Sequence, residues 1–182
     1  MENRSQWYVV TGGPSSGKKT VLRTLKEMGY PVIWEVARGV IDRANRQGIT
    51  TKELREDEAK FQLSLLPIKA ELEKRLPKEK IYVLNRAMPD SVAYLQACDA
   101  NSEEARKLCQ SGLYKKIFLL EQLPEFIPDY ARTEDKTVAE RINQLLKKAY
   151  EELGYKVVLV PVMSVEERVR FILNHIDEDR RK

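Results

Sequence analysis

The chain has 182 residues, 42% of them hydrophobic and 33% charged, which is the size and balance of one α/β domain. Its formal net charge of +4 is spread over basic residues interleaved with acids, apart from the tail Arg180-Arg181-Lys182, and this argues against a dedicated nucleic-acid platform. No apolar run approaches bilayer length and the start shows no charged-then-apolar leader, so a cytoplasmic setting is expected, without a membrane.

Ser5 to Thr11 is rich in β-branched and aromatic residues and predicts a buried strand. Gly12-Gly13-Pro14-Ser15-Ser16-Gly17-Lys18 follows, then Val21, Leu22, Leu25 and Met28 at helical spacing up to Gly29. Pro31 to Trp34 predicts a second strand, and Glu35 to Gln47 a helix carrying Val36, Val40 and Ile41 on one face. Thr51 to about Leu76 reads as one long helix with a kink at Pro67. Lys80 to Leu84 is the clearest interior strand. Pro89 to Cys98 and Ser102 to Cys109 read as helices, with the two cysteines on helix faces. Their spacing suits neither a metal nor a redox pair, and with a single histidine the chain supports no zinc site and no Ser-His-Asp triad. Lys116 to Leu120 predicts a fourth strand, Gln122 to Arg132 a loop, Thr137 to Leu153 an amphipathic helix, Tyr155 to Val160 a fifth strand and Val165 to Ile176 a last helix.

Alternating strands and helices predict a mostly parallel sheet covered on both faces, in one domain spanning 1–182. Ligands in such folds sit outside the carboxyl ends of the strands, so the loops after Thr11, Trp34, Leu84 and Leu120 are the places to look. The first of them fits the P-loop pattern G-x-x-x-x-G-K-[ST], except that Lys19 stands where Ser or Thr is expected. Its glycines let backbone N–H groups close around phosphate, the helix start adds a positive end, and Lys18 adds a point charge. The hydroxyl missing at Lys19 is the one that usually holds Mg²⁺.

Together with Tyr30-Pro31-Val32, Glu35-Val36-Ala37-Arg38, Asp90 to Tyr94, Ala131 to Glu134, Tyr150 to Tyr155, Pro161-Val162 and Val165 to Arg168, the loop resembles the small P-loop ATPases labelled AAA domain proteins. These are related to nucleoside-type kinases and to the ribosylnicotinamide kinase domain. The resemblance implies a three-layer P-loop NTPase fold of class α/β, with a five-stranded parallel sheet and helices on both faces. It also implies ATP or a related triphosphate, Mg²⁺ and a mobile lid, for which 121–136 is the candidate. In that family the third strand usually ends in Asp-Arg-Gly, and here it ends in Asn85-Arg86-Ala87. Lys for Ser/Thr and Asn for Asp each raise the local charge by one, together the charge of the Mg²⁺ such a site handles.

The nucleotide is therefore expected on Gly12, Gly13, Pro14, Ser15, Ser16, Gly17, Lys18, Lys19 and Thr20, with Lys19 turned to phosphate, or else facing solvent while Thr20 or water serves the metal, and the part of Mg²⁺ left open. Lys18, Glu35, Asn85, Arg86 and Arg132 form the candidate catalytic set. Glu35 and Arg38 face an unknown small-molecule acceptor, or else form a local ion pair. Arg86 either reaches phosphate, as the resemblance favours, or anchors the strand end, while Asp90 reads as a helix-start carboxylate. Arg132 and Arg141 are placed near phosphate or base, Tyr130 stacks on a base or packs, and His175 is structural. Three functions stay in play: triphosphate binding with weakened or lost transfer, an active ATPase or small-molecule kinase, and a non-catalytic interaction module.

Overall fold

Trp7–Thr11 forms the first strand, β1, and all five of its residues are buried. A strand covered on both faces reads as a continuous apolar run, and alternate residues then serve two separate cores. Tyr8 and Val10 point into one core, Trp7 and Val9 into the other. This architecture comes from a computed structural model that describes residues 4–125 and 136–181.

The remaining strands are β2 (Val32–Ile33), β3 (Tyr82–Asn85), β4 (Lys116–Leu120) and β5 (Val157–Val160). They form one sheet in the order β2-β3-β1-β4-β5, and every pairing is parallel. Val9 lies level with Leu84 on one side and with Ile117 on the other. Because β1 goes first to β2 and β3 on one side and β4 and β5 follow on the other, the strand order reverses at the carboxyl end of β1. That reversal opens a crevice where Gly12 begins its loop.

Helices α1 (Lys18–Glu27) and α8 (Val165–Arg180) cover one face. Val21, Leu22 and Leu25 meet Val169, Ile172 and Ile176 there, against Tyr8, Val10 and Phe118. Helices α4 (Glu58–Arg75), α5 (Met88–Ala97), α6 (Glu103–Leu108) and α7 (Lys136–Glu151) cover the other. Leu66, Val92, Leu95, Ala105, Ile142 and Leu146 pack there with Leu119 of β4. Helix α2 (Val36–Arg46) leans on α4 through Ile41, Phe61 and Leu65.

The segment expected as one helix from Thr51 is two. Thr50 and Glu53 form a capping box for the short α3 (Thr51–Leu54), and Asp57 caps a new start by accepting from the Lys60 N–H. A second N-cap overrides the continuous apolar spacing, because side-chain oxygen satisfies amides that a continuing helix would have bonded itself. Helix α4 then runs through Pro67 to Arg75. The fifth strand starts at Val157, not Tyr155, whose hydroxyl bridges the Leu113 N–H and the Gln110 carbonyl instead. Cys98 and Cys109 are free thiols on or beside α5 and α6, and burial pushes the Cys109 thiol up to about 12. Among the described residues no helix is long and apolar enough to cross a membrane.

Candidate functional site

The loop after β1 owes its shape to three residues with positive φ: Gly12 (149°), Ser15 (60°) and Gly17 (77°). A Cβ on Gly12 would lie 2.7 Å from both the Leu120 carbonyl and Ser16 Oγ, so only glycine fits. Three of the loop's carbonyls accept from protein donors. Leu123 N–H donates to the Ser15 carbonyl at 3.2 Å, and Lys18 Nζ donates to the Gly12 and Gly13 carbonyls at 2.7 and 2.8 Å. Lys18 Nζ also reaches Ser16 Oγ at 3.0 Å, so in this structure the ammonium lies back over its own loop. The Gly13 N–H donates to Asn143 Oδ1 of α7 at 2.9 Å, which ties the loop's first turn to that helix.

Arg168 holds the loop from behind. It is 2% exposed, and its guanidinium donates to three carbonyls: Ser16 at 2.7 Å, Pro161 at 2.9 Å and Glu121 at 3.2 Å. One side chain thus joins the loop to the ends of β4 and β5 using the fixed fork of arginine. Its place was legible in principle. Arg168, Ile172 and Ile176 share one buried stripe of α8, and a charge on an apolar stripe needs partners.

Beside the loop, Arg86 takes up the strand-end position with φ of 69°, a conformation that non-glycine residues adopt at some cost. Its Nε donates to Glu35 Oε1 at 2.9 Å, Nη1 to Asp90 Oδ1 at 3.0 Å and Nη2 to the Tyr94 hydroxyl at 2.7 Å. In this structure the guanidinium anchors the strand end through these three bonds. Asp90 lies fully buried beneath it, accepting from Thr11 Oγ1 (2.6 Å), the Ala87 N–H (3.0 Å) and the Tyr150 hydroxyl. That is the helix-start role expected of Asp90, enlarged into a hub. Burial pushes both carboxyls up, but Arg86 and Lys69 outweigh it, with Lys18 and Arg38 adding at Glu35 and two hydroxyl donors at Asp90, so both sit below the usual carboxylate range. Arg86 is pushed up in turn: burial alone would lower it, and Tyr94, Glu35 and Asp90 more than reverse that. Glu35 thus pairs with Arg86 and not simply with Arg38 one turn along.

Loop, Glu35 and Arg86 border one open cleft of about 750 Å³. Lys18, Lys19, Arg23, Arg38, Arg55, Lys69 and Arg86 line it against Glu35, Asp42 and Glu125, so its field is positive. Pro14, Ser15, Gly17, Thr20 and Asn85 also border it, whereas Gly12, Gly13 and Ser16 are buried within the loop and do not. Asn85 Oδ1 is buried with no hydrogen-bond partner.

These residues fit a divalent ion poorly. Lys19 brings an exposed cation to the cleft where a hydroxyl would serve, Asn85 offers a neutral oxygen, Glu35 is held by Arg86, and Asp90 has its oxygens filled. Among the described residues no three His, Cys, Asp or Glu side chains gather into a metal-binding group. At about 4 Å and an effective dielectric near 20, one unit charge repels a divalent ion by roughly 8 kcal/mol, so Lys19 and such an ion exclude each other at close range.

Arg141 does not join the cleft. It pairs with Asp99 at 2.6 Å at the far end of α5. His175 packs against Phe118 and Phe171, as a structural residue does. Tyr130 and Arg132, and with them most of the lid candidate 121–136, lie outside the described residues. Lys69 was missed by sequence reasoning. It is 8% exposed, on the buried stripe of Leu65 and Leu66, and donates to Ser91 Oγ at 2.7 Å.

A profile of the family described as AAA domain matches residues 7–168. No curated protein matches the chain. Among solved structures, it superposes on deoxyadenosine kinase from M. mycoides with dCMP and dCDP bound at a TM-score of 0.68 and 14% identity, covering 94% of this chain and 99% of that one. Shikimate kinase from Acinetobacter baumannii in complex with shikimate gives 0.61 at 18%, covering 100% and 97%. NadR protein in complex with NR gives 0.65 at 22%, covering 86% of this chain and 45% of NadR, less than half of that longer protein. At these identities the likeness establishes the fold, a three-layer P-loop kinase architecture.

Proposed function

The chain belongs to the AAA domain family, and on that premise we propose that it binds a nucleoside triphosphate, ATP first, at Gly12–Thr20. The adjoining cleft takes a small acceptor, and phosphoryl transfer is slowed by Lys19 and Asn85. The observation that carries this reading is the Glu35 carboxylate held by Arg86 at 2.9 Å in a cleft that the loop also borders. A pure interaction module has no need to hold a carboxylate ionised beside a phosphate cradle.

The residues divide the work. Loop amides enclose the phosphate tail, and Lys18 exchanges its own-loop carbonyls for phosphate oxygens, gaining charge-assisted bonds. Lys19, exposed in the first turn of α1, adds a second cation there, which lets the triphosphate bind without Mg²⁺. Glu35 accepts the hydrogen of an acceptor hydroxyl and orients it, and Arg86 keeps Glu35 in place. Arg132 is assigned to the transferring phosphoryl group, where an arginine stabilises spread charge. The free thiols Cys98 and Cys109 suit the reducing cytoplasm.

The Glu35–Arg86 pair on the cleft wall favours a second reading, an active kinase. One pair of assays separates the two. Phosphate release and transfer are measured for the wild type and for Lys19→Thr with Asn85→Asp, in Mg²⁺. Slow wild-type turnover and a gain of at least tenfold in the double variant are expected. Fast wild-type turnover with no gain supports the active kinase and removes the assignment of those two positions.

A further inference from the structure

The carboxylates around Lys69 each hold bonds from other donors. Asp90 serves Arg86, Thr11, Ala87 and Tyr150; Glu35 serves Arg86; Glu73 accepts from the Tyr114 hydroxyl and the Met88 N–H. Lys69 Nζ hydrogen-bonds Ser91 Oγ, and among the described residues no other hydrogen bond or ion pair reaches it. An ammonium has three donors, so two remain on a side chain that is more than nine-tenths buried and borders the cleft. Asp90, Glu35 and Glu73 offset part of the charge, yet burial still holds the Lys69 ammonium below the usual lysine range, so an oxyanion on the spare donors would relieve a cost that these carboxylates leave standing.

Three of the other cations bordering the cleft have occupations. Arg86 is held by Glu35 and Asp90, and Arg55 by Glu58. Lys18 belongs to the triphosphate. A neutral acceptor would offer the buried ammonium only neutral hydrogen bonds, whereas an oxyanion at Lys69 would make short, charge-assisted bonds to both spare donors.

We propose that the acceptor carries an anionic group, a phosphate or a carboxylate, and that Lys69 is the specificity-determining residue that receives it while Glu35 receives the hydroxyl. This rests on the acceptor-cleft reading above. The charge requirement separates this cleft from one built for a neutral nucleoside.

The test compares matched pairs on the full chain by ligand-observed NMR, with and without a non-hydrolysable ATP analogue. Thymidine 5′-monophosphate is set against thymidine, and shikimate against methyl shikimate. The expected result is at least tenfold tighter binding of one anion than of its neutral partner, and the pair that responds identifies phosphate or carboxylate. Lys69→Met should abolish the preference and Lys69→Arg retain most of it, with ATP affinity unchanged in both. Absence of an anion preference in both pairs overturns the inference, as does a preference that survives Lys69→Met. Should Lys69→Met fail to fold, the wild-type Lys69 ammonium resonance decides: it must move with the anion and stay put with the neutral partner. ATP binding without any anion preference removes this inference alone, while an anion preference without ATP binding removes the triphosphate reading alone.

Discussion

Replacing Asp90 by Asn tests the hub that positions the candidate site. The side chain keeps its size but loses its charge, and one oxygen becomes a donor. Asp90 Oδ1 accepts from Thr11 and Arg86, and Oδ2 from the Ala87 N–H and the Tyr150 hydroxyl. An asparagine that keeps the first two bonds turns its NH₂ toward the Ala87 N–H, leaving that amide unpaired at a cost of about 1–3 kcal/mol. Arg86, 7% exposed at its side chain, loses half of its compensating charge. Breaking a buried pair by removing one partner costs about 3–5 kcal/mol, and the two losses overlap, so about 3–5 kcal/mol is expected in total. In a chain of this size that lowers Tm by roughly 6–20 °C, and urea denaturation should show a lower midpoint with an unchanged slope. The pH dependence has a definite sign. The carboxyl is held below its unfolded value, so its contribution is full above about pH 4 and fades as pH falls through the depressed folded value. The gap between wild type and variant should stay constant from about pH 5 to 8 and narrow below about pH 4. A loss under about 1 kcal/mol at pH 7 would refute the hub, because no buried pair of this kind could then be at work.

Arg168→Ala strips the donor from three carbonyls around the loop and should cost about 2–4 kcal/mol while weakening ATP binding, with Arg168→Lys retaining only part of both because lysine lacks the fork. Unchanged ATP affinity in a folded Arg168→Ala protein would show that the clamp does not shape the loop. Gly12→Ala forces a Cβ to 2.7 Å from two oxygens and should abolish nucleotide-dependent thermal stabilisation; a retained shift contradicts the cradle geometry. Gly39→Ala is the contrasting control: nothing lies within 4 Å of the added Cβ inside α2, so stability should rise by about 0.5–1 kcal/mol, and a loss would mean the helix is not as described.

Much of the site was legible because glycine and strand patterns are local. The run Trp7–Thr11 followed by Gly12 to Lys18 announces strand, loop and helix without tertiary help. Helix boundaries near Asp57 were not legible, since apolar spacing continues across a cap that acts through one side-chain oxygen. The partners of Arg86 were hidden by distance in sequence: Glu35 lies 51 positions away, and no local pattern predicts that pairing. Arg168 and Lys69 carried a signal that spacing alone provides, a charge on an apolar helical stripe, but its meaning depends on which carbonyls or hydroxyls fold toward it. Arg141 shows the converse, an arginine with a plausible address that a neighbouring Asp99 claims.

Calorimetric titration of the full chain with ATP, once with Mg²⁺ and once with a chelator, bears on the triphosphate cradle without intermediaries. Saturable binding is expected in both, with affinities within a few-fold of each other and with Lys18→Ala eliminating both. No heat at millimolar ATP under either condition, or binding that vanishes with the chelator, would contradict a cradle that holds the triphosphate by its own amides and lysines.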